Sequence, residues 1–152
     1  MSLPVKLYRV GNFFYNKNLA VIGKLISVLN RFLFATWLPS SAKIGENFTI
    51  GYGGLGVVIH SNTKIGDNCL VAQNVTIGRN FGDEKVPSIG DDVYIGAGSV
   101  VFGEITIGNN VIIGSNSLVN KSIPDNCTVV GNPMKIIVYD RKEKYYELDK
   151  KY

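Results

Sequence analysis

Between Ile44 and Val119 an aliphatic residue returns every six positions. The series runs Ile44, Ile50, Ile59, Ile65, Val71, Ile77, Ile89, Ile95, Val101, Ile107, Ile113 and Val119, with two slips. Glycine usually follows, as at Gly45, Gly66, Gly90 and Gly108, and four places on sits something small or apolar, as at Cys69, Val75, Val93 and Ser99. This period is neither the helical repeat nor strand alternation. It marks hexapeptide repeats that wind a parallel β-helix, in which each short strand buries one aliphatic and no rung can bury its face alone. The seventeen glycines would point to disorder if scattered, but they fall in phase with the repeat.

The rhythm fails in three places, and function is expected there. Ile50 to Ile59 spans nine residues, so Gly51-Tyr52-Gly53-Gly54-Leu55-Gly56 carries a small insertion. Ile77 to Ile89 spans twelve, so a loop over 79–87 leaves the coil. The slot after Ile59 holds His60, the only histidine in the chain. That slot faces outward, so the imidazole is accessible. It is either an idle surface group or a general base, since histidine titrates near pH ~6.5. With no second histidine and no suitably spaced cysteine, a metal site is excluded. There is no Gly-x-Ser-x-Gly, Walker lysine or dinucleotide fingerprint. A base without an enzyme nucleophile points to direct attack by the substrate's own hydroxyl or amine, with backbone N–H groups stabilising the oxyanion. Asp83, Glu84, Asp67 and Tyr52 are candidates to orient the imidazole, and the sequence does not choose among them.

At 152 residues the chain is one domain with trimmings: a helical segment over 1–38, the β-helix over 39–137 and a charged tail over 138–152. In the first segment Ile22, Leu25, Ile26, Leu29, Phe32 and Leu33 form a stripe at helical spacing, opposite Lys24, Ser27 and Arg31. Placing Lys24 and Arg31 mid-bilayer costs roughly 2.5–3.5 kcal/mol each, so a transmembrane span is rejected. The stripe is expected to pack on the β-helix or a neighbouring subunit. The alternative is a helix lying on a membrane face through Phe13, Phe14, Phe32, Phe34 and Trp37. Pro39, Ser40 and Ser41 end the helical region. The tail mixes charge signs and reads as a solvated helix or frayed end. A net charge of +4 and no nucleic-acid module argue against nucleic acid. Cys69 and Cys127 read as reduced thiols, and no signal peptide is evident, so a cytoplasmic location follows, with membrane-peripheral contact left open.

Several stretches resemble the serine acetyltransferase family: Gly56-Val57-Val58-Ile59-His60, Lys64-Ile65-Gly66-Asp67-Asn68, Gln73-Asn74-Val75-Thr76-Ile77-Gly78, Ile89 through Ser99, and Val129-Val130-Gly131-Asn132-Pro133. The branch they resemble is that of polysaccharide biosynthesis, such as the colanic acid acetyltransferases. The resemblance covers about 39–137. It implies a mainly β fold, a left-handed parallel β-helix with three hexapeptides to a coil, a homotrimer with sites between subunits, and acetyl-CoA as donor. It places the pantetheine arm at Ala97 and Ser115 and the phosphates near Lys121 and Lys135, with the loop rooted at Gly78 arching over the donor. Residues a coil apart then stack, so His60 lies beneath Gly78, and the insertion, the histidine and the loop are expected to converge on one edge. At the positions of the family's Asp-His pair stand Tyr52 and Gly53, at that of its loop histidine Val86, and that of its paired aspartate falls near Leu38. The resulting expectation is O-acetylation of a sugar hydroxyl in surface polysaccharide, with His60 as base. The alternatives are serine O-acetylation and a catalytically silent trimeric scaffold or CoA-binding module.

Overall fold

The computed structural model describes residues 1–82 and 84–148. Two helices, α1 (Leu3–Asn16) and α2 (Ala20–Phe34), lead into a parallel β-solenoid, and the short helix α3 (Tyr145–Leu148) is the last element among the described residues. The solenoid has three faces. The first stacks Lys43–Ile44, Lys64–Ile65, Ser88–Ile89 and Thr106–Ile107. The second stacks Thr49–Ile50, Leu70–Val71, Tyr94–Ile95, Ile112–Ile113 and Thr128–Val130, with Lys135–Val138 added antiparallel at its end. The third stacks Val58–Ile59, Thr76–Gly78, Val100–Phe102 and Leu118–Val119.

Register is aliphatic on aliphatic: Ile44 pairs with Ile65, Ile65 with Ile89, and Ile89 with Ile107. Those partners are 21, 24 and 18 residues apart. A bare coil therefore takes 18, and the surplus in the first two is the glycine-rich insertion and the long loop. Each rung turns two side chains inward, the aliphatic and the residue two before it. Ile59 and Val57, Val71 and Cys69, Ile77 and Val75, and Ile95 and Val93 are all buried. Each such large aliphatic contributes about 1.5–3 kcal/mol over its exposed state.

The corner between the first and second faces shows why glycine recurs. There Asp91 Oδ1 accepts the Asp67 N–H at 2.8 Å, and Asn109 and Asp125 repeat the contact in later coils at 2.8 and 2.7 Å. A Cβ on Gly66 would stand 2.2 Å from Asp91 Oδ1 and 2.7 Å from the Gly90 carbonyl carbon. Only glycine leaves room for the carboxylate of the next coil. The residue after each stacked acid or amide, Asn68, Asp92, Asn110 or Asn126, takes the left-handed conformation that Asn and Asp tolerate best.

The helical hairpin departs from expectation. The buried residues of α2 are Gly23, Ser27 and Asn30, not the apolar stripe. Ser27 Oγ lies 2.8 Å from Ser40 Oγ and accepts the Ser40 N–H at 2.9 Å, while Asn30 Nδ2 donates to Pro4 O at 3.0 Å. From α1, Tyr8 donates to Ala42 O at 2.7 Å, Asn12 to Ser40 O at 2.8 Å, and Arg9 to Ile44 O and Gly45 O. The physical cause is the end of the solenoid. Its first coil has backbone carbonyls and no preceding coil to pair them; the polar face of α1 fills that need, while α2 takes the Ser40 N–H and bonds α1. The helices also close tightly, since a Cβ on Gly23 would meet Gly11 O at 2.9 Å. Helix α2 ends at Phe34 with Ala35 in the left-handed region, and Trp37 already pairs in parallel with Val58. The solenoid thus begins before Pro39, and 35–38 is not helical.

The tail is pinned, not frayed, as far as residue 148. Lys144 Nζ bonds Asp92 at 2.8 Å, Tyr146 donates to Asp92 at 3.1 Å, and Tyr145 donates to Asn68 O at 2.8 Å. The Tyr145 ring packs against Tyr94 on the second face, with centroids 5.7 Å apart. Among the described residues no helix is long and apolar enough to cross a membrane.

Candidate active site

His60 follows the third-face strand Val58–Ile59. The register of Val58 on Thr76 and Ile59 on Ile77 carries it to the side of Gly78, and its N–H donates to Ile77 O at 2.9 Å. The only histidine therefore does meet the root of the long loop. Together they line an open groove with Trp37, Ser61, Thr76 and Arg79. The Arg31 guanidinium lies 5.7 Å from the Trp37 ring centroid. Trp37, Ser61, Thr76 and Arg79 are not among the residues that the sequence singles out for the site. The stacking of His60 on Gly78 is a signal for Thr76 and Arg79, whereas Trp37 falls in the segment that the sequence reads as helical.

Within the groove His60 is half-buried, and its Nδ1 accepts the Asn62 N–H at 3.2 Å. With Nδ1 accepting, the neutral ring carries its proton on Nε2. In this arrangement the ring offers a donor to the groove. For Nε2 to take a proton, the ring must first release the Asn62 amide, at a net cost of about 1 kcal/mol.

Among the described residues no carboxylate bonds His60. Glu84 pairs with Arg79 at 3.4 Å. Both are well exposed, so the pair contributes little stability but ties the loop to its root. Asp67 serves the far corner, where its Oδ1 accepts the Glu46 N–H at 2.6 Å. Tyr52 is 85% exposed and sits in the left-handed region with φ 47°. It belongs to the insertion that enters the strand Val58–Ile59, whereas His60 leaves that strand. The insertion and the histidine thus occupy opposite ends of one strand, not one edge, and Tyr52 does not line the groove. Asp83 lies outside the described residues.

The residues expected at the donor fall on two edges of the third face. Ala97 and Ser115 stack at its entering edge, where Asn116 N donates to Ala97 O at 2.8 Å and a Cβ on Gly96 would meet Ser115 N at 2.5 Å. Lys135 is exposed in the last strand opposite Val130, whose side chain lies by Gly114, so it neighbours the same edge. Lys121 is exposed at the leaving edge, one place past Asn120, which continues the column of His60 and Gly78. Between the edges Val58, Thr76, Val100 and Leu118 turn outward.

Neither cysteine adds a nucleophile. Both are free and buried. Burial pushes the Cys69 thiol up to about 12, outweighing a lowering backbone hydrogen bond, so it is not a thiolate at neutral pH. No cluster of metal-ligating side chains occurs among the described residues.

Six-residue rungs, three stacked faces and a loop rooted at a groove define a hexapeptide-repeat β-solenoid. The family described as "Bacterial transferase hexapeptide (six repeats)" matches over 41–79 and 87–121, leaving out the loop. The chain is 40% identical over 139 residues to a serine acetyltransferase of Bacillus pumilus, covering 90% of this chain and 63% of that one. It is 39% identical over 132 residues to a serine acetyltransferase of Synechococcus elongatus, covering 86% and 54%. Serine acetyltransferase of Brucella abortus, solved in complex with coenzyme A, superposes with a TM-score of 0.86 at 26% identity, over 91% of this chain and 56% of that one. Soybean serine acetyltransferase complexed with serine superposes with a TM-score of 0.84 at 29% identity, over 89% and 56%. The chain belongs to the hexapeptide-repeat family and, within it, is serine acetyltransferase-like. It spans less than two thirds of the length of these relatives.

Proposed function

We propose that this protein transfers an acetyl group from acetyl-CoA to a hydroxyl acceptor. The observation that carries the reading is the groove that sets the only histidine beside the root of the loop, on a solenoid shared with a serine acetyltransferase solved with coenzyme A. In the proposed reaction His60 takes the acceptor's proton, the alkoxide oxygen attacks the thioester carbonyl, and the CoA thiolate leaves. Donor contacts are assigned to Gly78, Ala97, Ser115, Lys121 and Lys135, and a loop contact to Glu84. Outward Val58, Val100 and Leu118 on the third face support a homotrimer that closes over the groove.

The names of the relatives favour serine as acceptor over the sugar hydroxyl expected from the sequence. The sugar reading stays as a second one on a separate observation. An apolar recess lined by Ala20, Lys24, Trp37 and Pro39 meets the groove at Trp37 and Ser61, which suits an acceptor larger than serine and presented at a membrane.

Calorimetric titration with acetyl-CoA, followed by thiol release with serine and then with sugar acceptors, tests this. Donor binding with turnover on serine supports the first reading, and turnover only on sugars the second. No donor binding removes both and leaves the scaffold. His60→Ala is expected to lower kcat on the order of 10²–10⁴. Full activity in that variant would remove His60 as base.

A further inference from the structure

The apolar stripe of α2 does not pack on the solenoid of its own chain but faces outward. On α2, Val21 is 74% exposed, Leu25 63%, Leu29 47%, Phe32 83% and Leu33 59%. These residues share one side of the helix, opposite Gly23, Ser27 and Asn30, which face Ser40 and α1. On α1, Leu3, Val10 and Phe13 are exposed as well. An apolar strip of this size in water needs an occupant.

We infer that the α1–α2 hairpin docks on an anionic lipid bilayer, with α2 lying in the interface. Charge selects this occupant. Residues 1–45 contain Lys6, Arg9, Lys17, Lys24, Arg31 and Lys43 and no aspartate or glutamate, although the whole chain has twelve. Arg9 is used on the first coil, but Lys6, Lys17, Lys24 and Arg31 are exposed. In helical projection Lys24 and Arg31 lie at the margin between the buried and outward sides of α2. From there their heads reach lipid phosphates while their stems cover apolar surface. Stripe-to-stripe contact with a second copy would set cations against cations with no carboxylate on either hairpin, which disfavours that occupant. At 15 residues α2 is about 22 Å long, short of a ~30 Å hydrocarbon core, so it lies on the membrane and does not span it. The inference does not depend on which hydroxyl is acetylated, nor on catalysis.

Flotation of the full chain with vesicles tests it. Phosphatidylglycerol–phosphatidylcholine vesicles are expected to carry the protein upward at low salt, with loss at high salt and little binding to phosphatidylcholine alone. The double variant Leu25→Glu, Phe32→Glu changes only exposed positions and is expected to bind about tenfold more weakly or worse. Lys24→Gln and Arg31→Gln should each cost roughly fivefold. Circular dichroism must match the parent chain for each variant. Absence of binding to anionic vesicles would overturn the inference, as would binding that ignores lipid charge and salt. Sedimentation in which the double variant dissolves an oligomer, while the parent chain ignores vesicles, would assign the stripe to a second copy and overturn it equally.

Discussion

The solenoid and the helical hairpin both carry an apolar periodicity, and they use it in opposite senses. In the coils every aliphatic of the six-residue series points inward, and Ile59, Ile77, Ile95 and Ile113 are at most 1% exposed. In α2 the aliphatic series points outward and the small and polar residues are buried. The difference lies in what each surface packs against. A rung meets other rungs whose backbone bonds are already made, so only apolar area is left to gain. The hairpin meets an end coil with unpaired carbonyls, where a hydroxyl or amide is worth more than a methyl group. Periodicity identifies a face; the partner decides whether it is the face that is buried.

Substitutions can break or sharpen that contrast. The largest effect is expected in mid-stack, where Ile95→Ala should cost about 2–5 kcal/mol, seen as a fall in the urea midpoint. A parent-like midpoint would mean that the stack does not share load between coils. Next comes the polar side of α2. Ser27→Val strands the Ser40 N–H, while the Ser40 hydroxyl keeps Gly23 O, and should cost about 1–3 kcal/mol despite adding hydrophobicity. If that variant is instead more stable, the hairpin is seated on the coil by apolar contact.

The pinned tail gives a smaller, pH-dependent effect. Desolvation raises the Asp92 pKa, but hydrogen bonds from Lys144, Tyr146 and Asn68, with the charge on Lys144, outweigh it and hold the carboxyl below the usual aspartate range. Its stabilisation is therefore complete above that range and fades as pH falls through the lowered value. Asp92→Asn should release the tail to limited proteolysis at neutral pH while costing about 1 kcal/mol or less. In the parent chain the same release should appear only on acidification. Smallest of all, Leu25→Glu or Phe32→Glu should change stability in water by no more than about 0.5 kcal/mol, read from the shift in thermal midpoint, because neither side chain is buried. A large loss at either position would show the stripe buried in solution.

Much of the site follows from spacing. Three hexapeptides to a coil, which the resemblance implies and the period alone does not, bring His60 to Gly78 without any knowledge of side-chain geometry, because parallel register in a solenoid is set by counting residues. Counting does not reveal which nitrogen of His60 is free, since that depends on the local turn that brings the Asn62 N–H to Nδ1. Nor does it show that Arg79 engages Glu84, or that Trp37 leaves the helical segment to become the first residue of the third face.

The sequence by itself determined the solenoid, its inward aliphatics and the two excursions, because a short-period repeat encodes its own register, and the family resemblance added the coil length that pairs the histidine with the loop root. Tertiary structure alone decided the seating of the hairpin, the outward turn of its apolar stripe, the pinning of the tail along the Asn68 and Asp92 corner, and the separation of Tyr52 from His60. Each of these depends on a contact between segments far apart in the chain, and the residues on one side of such a contact do not specify what the other side will offer.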